Sequence, residues 1–193
     1  MLEKFLITNS NYEAILANPA RLAKHNITKI YLRDKNLPPE IFRAFLKLQS
    51  TLKNVEIFVN YSDSPEILAH SHIHLKGDEL PLARELKGLC CFDLQGESNS
   101  GESAKILSYS AHSLSDILKA HEAGIDYIVI SPIFVVEGKN APLGLEIFAQ
   151  IPREIKPKIF ALGGINSHNI HLFENLGIRG VAGIRAFGRI FGL

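Results

Sequence analysis

The sequence predicts an α/β fold, a small (β/α)8 TIM barrel built as a single domain over residues 1–193. Three observations predict it. Short β-type runs alternate with helical patterns, eight such runs can be counted, and each of the last two leads directly into glycine. Repeated βα units are typical of a parallel sheet, and eight of them close a barrel. Because 193 residues are fewer than the usual size of about 250, we expect short helices and loops.

Each predicted strand is a short apolar run bounded by polar or turn-forming residues. In chain order they are Lys4 to Thr8, Lys29 to Leu32, Glu56 to Val59, His72 to Leu75, Lys105 to Ser110, Tyr127 to Ile130, Lys158 to Leu162 and Gly180 to Ala182. Between them, apolar residues recur at three- and four-residue spacing, which predicts helices on the outside of the barrel. These include Asn11 to Lys24, Pro39 to Leu48, Ser113 to Ala123 and Ser167 to Leu176.

One segment falls outside this count. Leu89 to Leu94 also has the pattern of a strand, and the polar, glycine-rich residues Gln95 to Gly101 after it predict a mobile loop. We expect either an extra strand or a surface hairpin, with an insertion near residues 89–101. If this segment replaced the fifth predicted strand, the barrel would no longer close with eight.

The composition excludes several classes of function. The net charge of +1 is spread along the chain, without the basic block that nucleic acids select, so we expect no nucleic-acid partner. No apolar run approaches the ~20 residues that span a bilayer, and Met1 leads into a strand rather than a signal peptide, so we expect no membrane partner and a cytoplasmic location. Cys90 and Cys91 are adjacent and would face opposite sides of a strand, which favours packed thiols. The oligomeric state is left open, a homo-oligomer included.

The last two predicted strands indicate a phosphate-binding site. Gly163 and Gly164 follow one of them, and Gly183 follows the other before a short helix that we expect to end near Phe191. Glycines just past buried strands let the backbone approach a ligand, and a helix N-terminus favours an anion. In barrels of this class, the loops after the seventh and eighth strands often bind phosphate. For either motif alone, an ordinary βα turn is the alternative.

Polar side chains follow the other predicted strands, and a barrel directs all of its strand ends into one cleft. Their charges suit a small phosphorylated or polyanionic substrate, although each residue alone could be a solvated loop charge. The residues are Arg33, Lys35, Asn60, His74, Asp78, Glu79, Ser110, His112, Ser131 and Lys139.

This succession of residues resembles the family of thiamine phosphate synthases and thiazole tautomerases (TenI-like proteins) over nearly the whole chain. The matching motifs include Leu32-Arg33-Asp34-Lys35, Val59-Asn60, Tyr109-Ser110-Ala111-His112-Ser113, Ser131-Pro132-Ile133-Phe134 and Ala161-Leu162-Gly163-Gly164-Ile165. The resemblance implies an enzyme of thiamine biosynthesis whose small-molecule partner is a phosphorylated thiazole. We therefore expect substrate binding by Arg33, Lys35, Asn60, His74, Gly163, Gly164 and Gly183.

Two activities share this pocket in the family. A synthase also binds hydroxymethylpyrimidine pyrophosphate with Mg²⁺, expels pyrophosphate and lets the thiazole nitrogen attack the pyrimidine cation. A tautomerase moves a proton on thiazole carboxylate phosphate, without a second substrate, metal or cofactor. We expect the tautomerase, with the synthase as the alternative and a noncatalytic regulator that binds thiazole phosphate as a second alternative.

Departures from the synthase pattern favour this expectation. Tyr61 stands where the family has an aspartate for Mg²⁺, and a phenol with a reference pKa of ~10 is a poor substitute. Glu79, beside Asp78, stands at the second aspartate, so these two are metal ligands only if the protein is a synthase. In the loop after the sixth predicted strand, Val136-Glu137 replaces threonines that hold pyrophosphate.

For the tautomerase, the resemblance implies that His112 acts as acid and base. Histidine is the side chain that carries protons most readily near neutral pH. Ser110 lies two residues earlier and can face the same side of an extended backbone, so we expect it to be the polar neighbour of His112. Lys139 completes the expected catalytic set. The alternative is that Ser110 and His112 cap the helix that begins at Ser113.

Overall fold

The computed structural model describes residues 2–10, 12–52, 54–92 and 103–189, and within them eight parallel strands close into a barrel. The strands are β1 (Glu3–Ile7), β2 (Ile27–Leu32), β3 (Glu56–Asn60), β4 (His72–Lys76), β5 (Cys90–Cys91), β6 (Ser103–Ala104), β7 (Leu107–Ala111), β8 (Tyr127–Ile130), β9 (Ile159–Ala161) and β10 (Gly180–Gly183). The order around the barrel is β1, β2, β3, β4, β7, β8, β9, β10, and β10 pairs with β1. The predicted fold is confirmed, and the eight predicted strands are present with ends shifted by at most two residues.

The helices cover the outside of the barrel and are short, as expected. They are α1 (Tyr12–Ala17), α2 (Ala20–Lys24), α3 (Pro39–Thr51), α4 (Pro65–His70), α5 (Ala83–Leu86), α6 (Leu114–Glu122), α7 (Ile147–Gln150) and α8 (Arg185–Gly188), with 3-10 turns at Gly77–Leu82, Lys156–Lys158 and Ile170–Phe173. The predicted helix Asn11 to Lys24 is split into α1 and α2 before Ala20, because Pro19 has no N–H to donate within a continuous helix. Within the described part of the chain, no helix has the length and apolarity that a bilayer crossing requires.

The predicted helix Ser167 to Leu176 is wrong. Only the 3-10 turn Ile170–Phe173 forms there. Asparagine side chains satisfy the backbone instead: Asn169 Oδ1 accepts from the Asn166 amide at 2.8 Å, and Asn166 Oδ1 accepts from the His168 amide at 2.8 Å. Such local bonds compete with helical hydrogen bonds.

The barrel interior is a packed core rather than a channel. Phe5 lies at its centre, with its ring centroid 5.1 Å from that of Phe58 and 5.3 Å from that of Phe160. Tyr127 adds an edge contact to Phe160 at 5.6 Å. A second apolar core, between strands and helices, holds residues such as Phe45 on α3, which has no exposed surface. Ligands must therefore bind at an end of the barrel.

A cluster of charges closes the amino end of the barrel. Lys29 has a side chain only 4% exposed, and its ammonium lies 2.6 Å from Glu3 Oε2 and 3.7 Å from Glu56 Oε2. Arg179 Nε lies 3.2 Å from Glu3 Oε1. The ammonium of Lys29 is also 4.7 Å from the centroid of the Tyr127 ring. Because these charges pair with one another beneath the aromatic core, the carboxyl end is left for chemistry.

The segment between β4 and β7 lies outside the barrel. β5 and β6 form a two-stranded antiparallel ribbon separate from the barrel sheet, so this segment adds no strand to the barrel. Lys105, expected at the start of the fifth barrel strand, precedes β7 and donates to the Ser71 carbonyl at 2.8 Å and to Cys91 Sγ at 3.3 Å. Cys91 is a buried free thiol, as expected, whereas Cys90 is half-buried. The predicted loop over residues 95–101 falls outside the described residues.

Candidate active site

The side chain of Asn60 joins three strands at the carboxyl end of the barrel. Its Oδ1 accepts hydrogen bonds from the Tyr31 hydroxyl and the Lys76 ammonium. Its Nδ2 donates to the Asp34 carbonyl at 2.7 Å. An amide oxygen has two lone pairs, so the oxygen of this predicted substrate-binding residue is already fully used within the protein.

The loop after β2 holds two exposed cations on a fixed backbone. The Arg33 amide donates to Thr8 Oγ1 at 3.1 Å, and the Asn36 amide donates to Asp34 Oδ1 at 3.0 Å. With the bond from Asn60, these contacts restrain the loop on both sides. Arg33 and Lys35 are themselves exposed, as a role in binding an anionic substrate requires.

Lys76 adds a third cation that the sequence analysis missed. It ends β4, is half-buried, and its ammonium lies 5.8 Å from the centroid of the Tyr31 ring. Burial lowers its pKa, and the nearby Arg33 and Lys35 lower it further, against the opposite effect of Glu79. The sequence holds one signal for this position: alternate residues of a strand face the same side, so Lys76 faces the same side as His72 and His74, at the carboxyl end of the strand. Arg33, Lys35 and Lys76 are termed the cation group below.

His74 lies beneath the mouth instead of lining it, which corrects our expectation of direct substrate contact. It is 1% exposed and stacks on Tyr31. Its Nδ1 lies 2.8 Å from Ser108 Oγ, and its Nε2 lies 2.8 Å from Ser110 Oγ. Burial lowers its pKa to about 3, and the charges of Lys76 and Arg33 act in the same direction. The neutral imidazole therefore supports Tyr31 and Ser110 from below.

We expected Ser110 to be the polar neighbour of His112. Its hydroxyl instead contacts His74 on the neighbouring strand. β4 and β7 run side by side with Lys76 opposite Ser110. This register brings the Ser110 hydroxyl over the His74 ring. Ser110 remains half-buried at the mouth.

His112 is exposed and held in one orientation. Its Nδ1 lies 2.8 Å from the carbonyl oxygen of Ser131, so Nδ1 must carry the proton that this bond requires, and Nε2 is left as the acceptor in the neutral ring. The cap of α6 is Ser113, whose Oγ accepts from the Asp116 amide at 3.1 Å, while Asp116 Oδ2 accepts from the His112 amide at 2.9 Å. The alternative that Ser110 and His112 cap this helix is therefore wrong, because Ser113 caps it and Ser110 contacts His74. The imidazole of His112 takes no part in the cap.

The glycine pair after β9 allows a close approach between two loops. Gly163 and Gly164 have φ of +102° and +70°. A Cβ would lie 2.8 Å from Pro132 Cα at Gly163 and 2.6 Å from Phe134 Cβ at Gly164. The Phe134 amide donates to the Gly163 carbonyl at 3.0 Å. Only glycine fits both the backbone angles and the space, so this turn lies directly against the loop after β8.

After β10, Gly183 lies against the aromatic ring of Phe187, which a Cβ at Gly183 would approach to 3.0 Å. The helix that follows, α8, has four described residues, and positions 190–193, which include the expected helix end near Phe191, fall outside the described residues. Since a short helix sums few peptide dipoles, the expected contribution of a helix dipole is small. Phosphate binding here would rely on backbone amides.

The carboxylates near the mouth do not fit a magnesium ion. Glu79 Oε2 accepts from the Lys76 amide at 2.8 Å, and Asp78 is exposed beside it. The Tyr61 hydroxyl donates to Asp63 at 2.6 Å. Among residues 2–10, 12–52, 54–92 and 103–189, no three His, Cys, Asp or Glu side chains form a group that could hold a metal. Mg²⁺ prefers carboxylate and other oxygen ligands, but the Asn60 oxygen is bonded to the ammonium of Lys76.

The last expected catalytic residue, Lys139, is exposed in the loop after β8. Its amide donates to the Val136 carbonyl at 3.1 Å, and Gly138, with φ of +72°, turns the backbone before it. This loop also exposes 79% of Val135. Lys139 therefore lies on the solvent side of the same loop that packs against Gly163 and Gly164.

Comparison with known proteins agrees with the family resemblance. A family model described as thiamine monophosphate synthase matches residues 93–187. A thiamine-phosphate synthase of Syntrophomonas wolfei is 27% identical over 194 residues, which cover 94% of this chain and 86% of that protein. One from Prochlorococcus marinus is 31% identical over 189 residues, which cover 94% of this chain and 50% of that protein.

A solved structure supports the fold. Thiamine phosphate pyrophosphorylase from Pyrococcus furiosus superposes with a TM-score of 0.67 and 21% identity, covering 99% of this chain and 96% of that one. Both of these similar proteins are thiamine-phosphate synthases, which favours our synthase alternative over the tautomerase. The family-model match and the thiamine-phosphate synthases of similar sequence thus confirm the resemblance of this chain to the thiamine monophosphate synthase/TenI family.

Proposed function

We propose that this protein is a thiamine-phosphate synthase, a transferase that couples a hydroxymethylpyrimidine diphosphate to a thiazole phosphate. The observation that carries the proposal is the presence of two anion-favouring regions on opposite walls of one mouth. The glycine loops follow β9 and β10, whereas the cation group follows β2 and β4. β3 lies between β2 and β4, and around the barrel it is four strands from β9 in either direction. Two phosphorylated substrates need two such regions, whereas a tautomerase substrate carries one phosphate and a carboxylate, which need fewer cations than a phosphate and a diphosphate.

The thiazole phosphate would bind at the glycine loops. Amides of the Gly163–Gly164 turn and of the turn at Gly183 would donate to its phosphate oxygens, because backbone N–H groups in such turns form anion-binding concavities. The loop after β8 packs on the glycine turn. The loop after β8 would thus hold the thiazole ring near His112, between the glycine loops and the cation group.

The diphosphate would bind at the cation group. In the reaction, the bond between the pyrimidine methylene carbon and the diphosphate oxygen breaks, and its electron pair leaves with the diphosphate. The lone pair of the thiazole nitrogen then forms the new carbon–nitrogen bond. Cations held in place before the reaction stabilise the charge that develops on the leaving group. The restrained loop of Arg33 and Lys35 supports this role.

The test is direct synthesis. The protein would be incubated with both substrates, with Mg²⁺ in one series and with EDTA in another, and thiamine phosphate would be measured by liquid chromatography. We expect product that requires both substrates, and a loss on the order of 10- to 100-fold for Arg33→Met, as for removal of a charged hydrogen-bond donor. The matched control is Lys47→Met, which removes an exposed charge on α3, outside the barrel. Absence of product in both series, with both substrates bound, would contradict the proposal.

A tautomerase remains the second candidate because of one observation, the fixed orientation of His112. Its Nε2 could take a proton from one position of a thiazole carboxylate phosphate and return it to another. In D₂O this activity would exchange a carbon-bound proton for deuterium, which NMR detects. His112→Ala should then lower the rate by about 10²- to 10⁴-fold. A noncatalytic regulator would bind thiazole phosphate equally well with and without His112 and turn over neither substrate.

A further inference from the structure

We propose that Lys76 takes the place of a divalent cation in this protein, so that a diphosphate group binds at the cation group without Mg²⁺. The inference rests on the proposed function for the identity of the diphosphate-bearing substrate. It concerns how this chain holds that group. Its basis is a disagreement between the residues at the mouth and the ligands that magnesium needs.

The ammonium of Lys76 is built into the mouth. Its backbone amide is held by Glu79 Oε2 at 2.8 Å, and its Nζ donates to Asn60 Oδ1. Asn60 is in turn bonded to the loop that carries Arg33 and Lys35. The third cation is thus linked to the first two through one amide side chain, and an ammonium still has two N–H groups for an anion.

The same contacts exclude a metal ion from this place. The ammonium of Lys76 contacts the side-chain oxygen of Asn60, whose two lone pairs are directed to Tyr31 and Lys76. A Mg²⁺ ion at this oxygen would have to displace both donors and would lie beside the ammonium of Lys76. Two positive charges at such a distance repel strongly in a partly buried site.

The carboxylates do not offset this repulsion. Tyr61 donates its hydroxyl to Asp63, so the acid nearest to Tyr61 in sequence is engaged there. One Glu79 oxygen caps the 3-10 turn after β4. A phosphate anion, by contrast, gains from each of the three cations and needs no rearrangement of this network.

The experiment measures the binding of inorganic diphosphate by titration calorimetry, once in EDTA and once in Mg²⁺. We expect binding in EDTA that Mg²⁺ does not tighten. Lys76→Met should weaken this binding roughly 10- to 100-fold, the factor that a hydrogen bond to a charged group contributes. Lys76→Arg should restore most of it, because it restores the charge. Lys47→Met is the matched control and should bind as the wild type does.

Two results would overturn the inference: diphosphate binding only when Mg²⁺ is present, or unchanged metal-free binding in a Lys76→Met variant whose thermal unfolding matches the wild type. A failure of the proposed function looks different. Metal-free binding that depends on Lys76, without any thiamine phosphate formed, would contradict the synthase and leave the diphosphate site standing. If thiamine phosphate formed only with Mg²⁺, and diphosphate binding also needed Mg²⁺, the synthase would be supported and the metal-free diphosphate site contradicted.

Discussion

The imidazole of His74 stacks on the phenol ring of Tyr31, with ring centroids 4.1 Å apart and an angle of 29° between the planes. The pair joins β2 to β4 directly below the cation group. Tyr31 donates its hydroxyl upward to Asn60, and His74 binds Ser110. The floor of the candidate active site is therefore a single layer of neutral rings on which Asn60, Lys76 and Ser110 are positioned.

The first prediction concerns stability at acidic pH. Burial lowers the pKa of His72 to about 4 and that of His74 to about 3. In the unfolded chain both rings bind protons near pH 6.5, whereas in the fold they do not. The unfolded state thus holds more protons below that pH, and the free energy of unfolding should fall by on the order of a few kcal/mol as the pH drops from about 6.5 towards 4.

Urea unfolding at pH 7.5 and pH 5 would measure this fall. His74→Asn should reduce it, because the variant no longer carries that buried ring. His168→Asn, at an exposed position, is the matched control and should leave the fall unchanged. An equal fall in the wild type and in His74→Asn would show that His74 is not a source of the acid sensitivity.

The second prediction tests the Tyr31 hydroxyl. Tyr31→Phe keeps the ring on His74 and removes the donor to Asn60. We expect a loss of about 1 kcal/mol in the free energy of unfolding, the usual contribution of one hydrogen bond. Diphosphate binding should also weaken, since Asn60 would hold Lys76 and the Arg33 loop less firmly.

The control for this variant is Tyr109→Phe, whose hydroxyl makes a longer bond of 3.4 Å to the Gly77 carbonyl. Urea titration and calorimetry with inorganic diphosphate supply the two readouts. If Tyr31→Phe and Tyr109→Phe changed diphosphate binding equally, the hydrogen bond to Asn60 would have no particular part in the site.

The strands of this barrel were predictable because a strand buried on both faces is a short apolar run between turn residues. Tyr127–Ile130 is such a run, and its predicted bounds are those of β8. Helices were less predictable where side chains compete for the backbone. Ser167 to Leu176 has helical spacing, yet the side chains of Asn166 and Asn169 satisfy the amides of that segment.

The positions of the site residues were also more predictable than their partners. A barrel brings strand ends together, and this places Asn60, Ser110 and His112 at one mouth. Which side chain meets which depends on the register between strands, and the pairing of β4 with β7 directs Ser110 to His74. Lys76 was missed because a lysine at a strand end looks like a surface charge until its partner Asn60 is known.

The third prediction separates backbone strain from lack of space at the glycine turn. Gly164→Ala places a Cβ 2.6 Å from Phe134 Cβ at φ of +70°. Gly124→Ala has a similar φ of +80° with nothing within 4 Å. The control should lose about 1 kcal/mol from the left-handed backbone alone, and Gly164→Ala should lose clearly more because the loop after β8 must move.

Thermal unfolding measures the two losses, and calorimetry with thiazole phosphate measures binding. We expect Gly164→Ala to weaken phosphate binding and Gly124→Ala, at the end of α6, to leave it unchanged. Equal stabilities of the two variants would mean that the loop after β8 yields to a methyl group without cost, and that close packing does not hold this turn in place.

The last prediction concerns the charges at the closed end of the barrel. Lys29→Met removes the cation between Glu3 and Glu56. Breaking a buried ion pair by removing one partner typically costs about 3–5 kcal/mol. Burial already raises the pKa of Glu56, and Lys29 is the main group that opposes this rise. Without Lys29 the pKa of Glu56 should rise further, because the remaining effects that oppose the rise, the Tyr127 hydrogen bond and the charge of Arg179, are smaller.

The loss should therefore depend on pH. A carboxyl group whose pKa is raised in the fold stabilises the protein least when the pH is above that pKa, where the buried charge must form. Lys29→Met should thus lose more stability at pH 8 than at pH 5, and the double variant Lys29→Met/Glu56→Gln should recover part of the loss at pH 8. Urea titrations of the single and double variants would measure both effects. If Lys29→Met lost the same free energy of unfolding at both pH values, the ammonium of Lys29 would not be acting by offsetting the charge of Glu56.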